Sequence, residues 1–138
     1  TFCALRMKDN KNFALKQIVC GNITEANFAL QEAKTLNKLE HPGIVKYEDV
    51  FLHEKRDHGV MKIVVCIVME FCERGDLAHA IGDCKQRNQP IPQHVVVRWL
   101  KDMFSGLAFL HKQKLMHRDL KGMNIFISRD GSLKLGDF

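Results

Sequence analysis

His117-Arg118-Asp119-Leu120-Lys121-Gly122-Met123-Asn124 runs directly into Ile125-Phe126-Ile127, and the reading of that stretch decides the fold. The octapeptide is polar and loop-like, and the tripeptide is an apolar, strand-like run. Arg129-Asp130-Gly131-Ser132 follows, with Asp and Gly where a tight reversal wants them. Leu133-Lys134-Leu135 alternates as a half-buried strand does, and Gly136-Asp137-Phe138 comes next. A hairpin closed across 129–132 places Ile125 opposite Gly136, hence Asn124 opposite Asp137. An amide oxygen and a carboxylate then share one open end, and both are hard oxygen ligands of the kind that hold magnesium beside a phosphate. Asp119 and Lys121 stand just upstream. A carboxylate for a hydroxyl proton, a cation for a phosphate and two metal ligands are the parts that phosphoryl transfer uses. The plain alternative is a polar loop whose Asp and Asn are only turn residues.

The bounds of the chain suit such a site. Its 138 residues could form one small domain, and 46% hydrophobic and 27% charged residues are ordinary for a globular protein. No apolar run reaches 18 residues, so the sequence predicts no membrane span. Five cysteines, at 3, 20, 66, 72 and 84, are odd in number and form no C-x-x-C. That pattern suggests reduced thiols, with neither a disulfide framework nor a zinc site. The net charge of +5 is spread along the chain and is densest at Lys112, Lys114, Arg118 and Lys121, around the supposed phosphate site.

Working outward from the N-terminal end, 2–6 and 12–18 read as strands joined by the polar turn 8–11. Lys16 leaves an apolar strand; taken alone it is more readily a surface lysine on an edge strand. A helix is expected over 24–39, with Thr24 as its cap. Phe28, Glu32 and Leu36 share one face by spacing. A carboxylate in that stripe wants a cation partner unless it reaches water at the edge. His41-Pro42-Gly43 ends the helix. A strand is expected over 45–53, a charged hairpin loop over 54–59, and a central strand over 61–69, which is almost continuously apolar. From Glu70 the composition turns polar, as a hinge does. A short helix over 76–87 and a longer one over 93–112 follow, the latter opened by Pro92. In the long helix Trp99, Met103, Leu107 and Leu110 keep helical spacing. Val96, Leu100 and Phe104 widen that stripe into one that belongs inside a helical lobe.

His-Arg-Asp-Leu-Lys-x-x-Asn followed by Asp-Phe resembles the catalytic loop and magnesium motif of eukaryotic protein kinases. The likeness extends over essentially the whole chain. It implies an α+β, protein-kinase-like two-lobe fold in truncated form: an N-lobe over 1–69, a hinge over 70–77 and part of a C-lobe over 78–138. Lys121, two residues after Asp119, fits the serine/threonine type. Ile67-Val68-Met69-Glu70-Phe71-Cys72-Glu73, Arg98-Trp99-Leu100 and Asn124-Ile125-Phe126 look like the NIMA-related kinases, although Arg74 stands where that subfamily usually has glycine.

The resemblance implies ATP and Mg2+ as cofactors and protein serine or threonine as substrate. Asp119 would orient the hydroxyl and take its proton, and Lys121 would steady the γ-phosphate. Lys16, held by Glu32, would place the α- and β-phosphates. Asn124 and Asp137 would bind the metal. Ala14 would roof the adenine and Phe126 would floor it. Met69 would be the gatekeeper, the backbone of Glu70 and Cys72 would meet the adenine edge, and Asp76 would face the ribose. Leu36, Tyr47, His117 and Phe138 would stack as the regulatory spine, with His117 a packing and hydrogen-bonding residue that takes no chemical part. Arg118 would pair with a phosphorylated activation loop. Protein substrates are implied as partners, with no nucleic acid and no membrane. The implied location is the cytoplasm, with the cytoskeleton a site of association in such kinases.

The glycine-rich loop, the activation loop and the peptide-docking segment have no counterpart in these residues. The chain by itself is therefore expected to be inactive and poorly soluble. A pseudokinase or kinase-fold binding module is the alternative, opposed by the presence of Lys16, Glu32, Asp119, Asn124 and Asp137. A small-molecule kinase is a third reading, disfavoured by residues 117–121.

Overall fold

The computed structural model describes residues 1–57 and 59–138, with the side chain of Asp57 left aside. The chain forms two compact units, one of residues 1–40 and 46–71, the other of 41–45 and 72–138.

The first unit is an antiparallel sheet with one helix. Its strands are β1 (Phe2–Arg6), β2 (Lys11–Cys20), β3 (Tyr47–Asp57) and β4 (Val60–Glu70), in the order β1-β2-β4-β3. The apolar run expected to be central is central: β4 lies between β2 and β3 and buries Val64, Val65 and Cys66 almost completely. Strand β3 begins two residues later than expected and runs through the charged stretch taken for a loop, pairing Glu54 with Ile63 and Arg56 with Met61. At a sheet edge charged side chains can stand in water while the backbone pairs, and they guard the edge against further strands. His58, also assigned to that loop, lies outside the described residues.

Helix α1 (Ile23–Leu36) packs on the sheet. Its cap is Asn22 and not Thr24: Asn22 Oδ1 accepts from the Glu25 N–H at 2.9 Å, and Glu25 Oε2 reaches back to the Gly21 N–H at 2.8 Å. This reciprocal arrangement satisfies one N–H that the first turn leaves open and the N–H of the residue before the cap. The buried face is Ala26, Ala33 and Leu36, and Phe28 is 74% exposed. The stripe of Phe28, Glu32 and Leu36 is thus not the inward one. Alanines let the helix sit closer to the sheet than a phenylalanine would.

The second unit holds α2 (Leu77–Gln86), α3 (Gln93–Lys112) and a hairpin of β5 (Ile125–Ile127) and β6 (Leu133–Leu135), preceded by a single 3-10 turn at Gly122–Asn124. Both helices fall where the sequence predicts them. Only a narrow part of the α3 stripe is covered: Gly106 and Leu110 are buried, whereas Val96, Leu100 and Phe104 are 39%, 43% and 64% exposed. Spacing marks a face as apolar, but a second element has to cover it, and none among the described residues covers that side of α3.

The segment His41–Val45 threads into this unit. The Leu135 N–H donates to the Gly43 carbonyl at 2.9 Å, and the Val45 N–H donates to the Leu135 carbonyl at 2.8 Å. Ile44 thereby makes a parallel bridge to Leu135. On the far side of the hairpin, the Ile127 N–H donates to the Gly75 carbonyl at 2.8 Å and the Arg74 N–H to the Ile127 carbonyl at 3.2 Å. Two short strands would be marginal alone, and these flanking segments extend their hydrogen bonding.

Candidate active site

The β5–β6 register sets the ends of the hairpin. Ile125 pairs with Leu135, one residue off the expected pairing, and the Gly136 N–H donates to the Asn124 carbonyl at 3.0 Å. The cause is the turn. Ser128 and Ser132 close it through the Ser128 N–H on the Ser132 carbonyl at 3.0 Å, and Gly131 sits at φ 84°. That is a three-residue loop with its glycine in the left-handed region, not the four-residue loop assumed from sequence. Asn124 faces Gly136, and Asp137 is the next residue out, with its own backbone at φ 56°.

Three of the expected groups meet around Asp119. Lys121 Nζ donates to Asp119 Oδ2 at 2.7 Å. Asn124 Nδ2 donates to the same oxygen at 2.9 Å and to the Asp119 carbonyl at 3.0 Å. Asn124 is buried and its NH2 is spent on Asp119, so the oxygen of its amide is the atom left to meet a cation. The carboxyl of Asp119 is held below its usual 3.8, first by the Lys121 hydrogen bond and then by that of Asn124. Asp119 is therefore ionised at neutral pH, the state a proton acceptor needs. Arg118, just before it, is exposed and sits at φ 62°, with the Asp119 N–H turned back onto the His117 carbonyl at 2.8 Å. A non-glycine residue held in that region is a strained position, of the kind that collects at functional sites.

A titration can test the cause of that depressed carboxyl. In Lys121→Ala the Asp119 carboxyl should move up toward 3.8, read from the pH dependence of its carbonyl carbon shift by NMR. The acid limb of any activity that depends on ionised Asp119 should move to higher pH with it. A titration curve unchanged by the substitution would remove Lys121 as the cause.

The other expected residues divide between the units. In the first, Ala14 and Lys16 alternate onto one face of β2. Met69 on β4 is paired with Ala14, and Ile67 with Lys16, so Met69 shares that face. Glu32 is exposed on α1. The Glu70 N–H donates to the Lys46 carbonyl at 2.8 Å, which narrows the backbone contact expected of Glu70 to its carbonyl oxygen. Leu36 and Tyr47 are both buried.

In the second unit, Asp76 caps α2, its Oδ1 accepting from the His79 N–H at 2.8 Å. It is also bridged to Phe126, which sets the residues expected at ribose and adenine side by side. Half-buried Cys72 lies in the turn before them, its carbonyl accepting from the Gly75 N–H at 3.2 Å. His117 is 5% exposed, its ring 5.3 Å from that of Phe138. Neither of its ring nitrogens has a hydrogen-bond partner among the described residues, so the packing expected of it is seen and the hydrogen bonding is not.

Sequence reasoning missed the residues on α3 that grip the hairpin. Leu133 N–H donates to Asp102 Oδ2 at 3.0 Å. The Gly131 carbonyl accepts from Arg98 Nη2 at 2.9 Å and Trp99 Nε1 at 3.0 Å. Trp99 had been assigned to the core alone. Asp102 lies among Trp99, Met103 and Gly106 on the inward face of α3, and a carboxylate within an apolar stripe was the available signal. Asp130 closes the turn from within, accepting from Ser128 Oγ at 2.6 Å and from the Ser132 N–H at 3.0 Å. Those bonds, that of Ser128 foremost, hold its carboxyl far below the usual range.

Known proteins resemble this arrangement along the whole sequence. The family described as "Protein kinase domain" matches residues 1–138. The human "Serine/threonine-protein kinase Nek11" is 35% identical over 126 residues, 90% of this chain and 18% of that protein. The mouse "Serine/threonine-protein kinase Nek4" is 36% identical over 132 residues, 94% of this chain and 16% of its own length. "Cell division control protein 7" of Schizosaccharomyces pombe is 32% identical over 136 residues, 97% and 12% respectively. The chain thus spans less than a fifth of the length of these relatives. No helix among the described residues is long and apolar enough to cross a membrane. The match over all 138 residues, with Asp119, Lys121 and Asn124 gathered at the mouth of a hairpin that ends in Asp137, makes this chain a member of the protein kinase domain family.

Proposed function

We propose that the chain is catalytic-core sequence of a serine/threonine protein kinase, which transfers the γ-phosphoryl group of ATP to a protein hydroxyl. One observation carries the reading: a single Asp119 oxygen takes hydrogen bonds from both Lys121 and Asn124, at 2.7 and 2.9 Å. Asp119 orients the substrate hydroxyl and accepts its proton. Lys121 faces the charge that develops on the transferred group. Asn124 and Asp137 hold magnesium; two hard oxygen donors suit an ion that takes few ligands from protein and the rest from phosphate and water. Held there, magnesium would supply neutralisation of phosphate charge, and the protein contributes mainly position. Lys16, with Glu32, places the α- and β-phosphates. Ala14, Met69, Phe126 and the backbone of Glu70 and Cys72 enclose the adenine, and Asp76 faces the ribose. In this reading 1–69 serves as the N-lobe, 70–77 as the hinge and 78–138 as the first part of the C-lobe. The names of the relatives support a NIMA-related kinase; a cytoplasmic location, with association with the cytoskeleton, rests on the family resemblance alone.

The test is ATP-dependent labelling of a casein-type protein by the full-length kinase, not by these 138 residues alone, followed by phosphoamino-acid analysis. Phosphoserine or phosphothreonine is expected. Nucleotide binding with no transfer to any protein would sink the reading.

A further inference from the structure

Strand β6 presents two N–H groups on its outer edge, those of Leu133 and Leu135. The Leu135 N–H meets the backbone carbonyl of Gly43. The Leu133 N–H would need the next acceptor along that parallel segment, but it meets a side chain instead, Asp102 Oδ2 at 3.0 Å. Leu133 is 1% exposed, so no water can substitute freely. One turn earlier on α3, Arg98 and Trp99 both donate to the Gly131 carbonyl. Gly131 is held closely there: a Cβ on it would lie 2.9 Å from Arg98 Nη2 and 3.2 Å from Arg74 Nη1. The closed end of the hairpin is therefore fastened to one helix by three side chains, while its open end carries Asn124 and Asp137.

We propose that Asp102, with Trp99 and Arg98, positions the metal-binding end of the hairpin from its far end. The strands are three residues each, so the fastening lies about 10 Å from the ligands and touches neither. A short, fully hydrogen-bonded ladder transmits register and tilt. Releasing the Leu133 N–H lets β6 shift along β5, and Asp137 moves with it relative to Asn124. The other outer-edge bonds of β5 and β6 described above are backbone to backbone, and the side-chain bonds of Arg98 and Trp99 fall on the turn at Gly131. Asp102 is thus where a substitution can loosen that edge without altering the hairpin itself. The inference rests on the metal assignment of Asn124 and Asp137.

The experiment follows thermal stabilisation of the full-length kinase by a non-hydrolysable ATP analogue as Mg2+ is titrated. In Asp102→Ala the Mg2+ concentration for half-maximal stabilisation should rise about tenfold, the lower end of what losing a residue that orients a ligand usually costs. Asp102→Asn keeps an acceptor oxygen and should stay within about twofold of wild type by the same measure. Should Asp102→Ala not fold, Trp99→Phe decides, because it removes the Nε1–H and part of the indole while keeping an aromatic ring in place; a rise of about threefold is expected, and none would overturn the proposal. A lower melting temperature in Asp102→Ala with an unchanged Mg2+ midpoint would mean a merely structural contact and would also overturn it. Asp137→Ala separates the two levels. If it abolishes the Mg2+ dependence while Asp102→Ala does not alter it, the positioning role alone fails. If Asp137→Ala leaves the dependence intact, the metal assignment fails and the positioning role with it.

Discussion

Asp119→Ala is expected to lower the turnover number of the full-length kinase by about 10³-fold, with the KM for ATP within a few-fold of wild type. The size follows from the role proposed for the residue. A positioned general base contributes roughly 10²–10⁴, and transfer that depends on alignment also loses the orientation of the hydroxyl. The loss reaches further than one carboxylate, because Lys121 Nζ and Asn124 Nδ2 both donate to Asp119 Oδ2. Removing it leaves a cation and a buried amide without their shared acceptor. Asp119→Asn keeps an acceptor but cannot take a proton, so it separates the two contributions: it should hold the fold better than alanine yet remain at least about 10²-fold impaired. Residual turnover within tenfold of wild type in either variant would remove Asp119 from the proton-accepting role.

Gly106→Val should lower stability by about 3 kcal/mol and the melting temperature by roughly 10 °C or more. A Cβ at Gly106 would lie 2.7 Å from the Gly43 carbonyl oxygen and 3.0 Å from Leu135 Cδ1. A Cβ at Gly43 would lie 2.9 Å from the Asp102 carbonyl oxygen. Here α3 meets the 41–45 segment backbone against backbone, and neither side has a flexible group to yield. Leaving glycine gains up to about 1 kcal/mol in a helix, while overpacking a close contact costs about 1–3 and a branched side chain adds more. The steric cost wins. Gly82 on α2 is the control: a Cβ there meets nothing within 4 Å, so Gly82→Ala should be neutral or stabilising by up to about 1 kcal/mol. Equal melting temperatures for Gly106→Val and wild type, by calorimetry, would show that the contact gives way.

The catalytic loop was legible because its chemistry is local. Asp119, Lys121 and Asn124 sit within six residues, and the turn between them leaves few ways to arrange three polar side chains. The long helix was legible too, since Pro92 opens it and its apolar spacing is unbroken. The hairpin was legible as a hairpin, but its register was not. Whether Ser132 belongs to the loop or to the closing pair depends on the left-handed backbone of Gly131, and both loop lengths suit the same letters. The cap of α1 turned on a similar choice. Asn22 and Thr24 are both competent caps, and only the reach of Glu25 back to Gly21 favours the first. The role of Asp102 lay furthest from view, because it exists only once α3 meets β6. Glu32 shows the converse: its spacing with Phe28 and Leu36 suggested an inward stripe, but the alanines of α1 set the packing face.

The 41–45 segment also bears on how the polypeptide can be made and divided. It belongs to a unit whose remaining residues begin at Cys72, so that unit is not one continuous length of chain. The Gly43–Leu135 pairing closes a loop of roughly ninety residues, a cost that is met only when the last strand exists to receive it. During synthesis the segment must therefore wait for β6 to emerge. A cut at the first unit's end, near Phe71, would yield no independent second half: Leu135 would lose both its acceptor and its donor, and Gly106 would face an empty groove. Any attempt to express that half alone has to carry His41–Val45 with it, as a grafted strand or an added peptide.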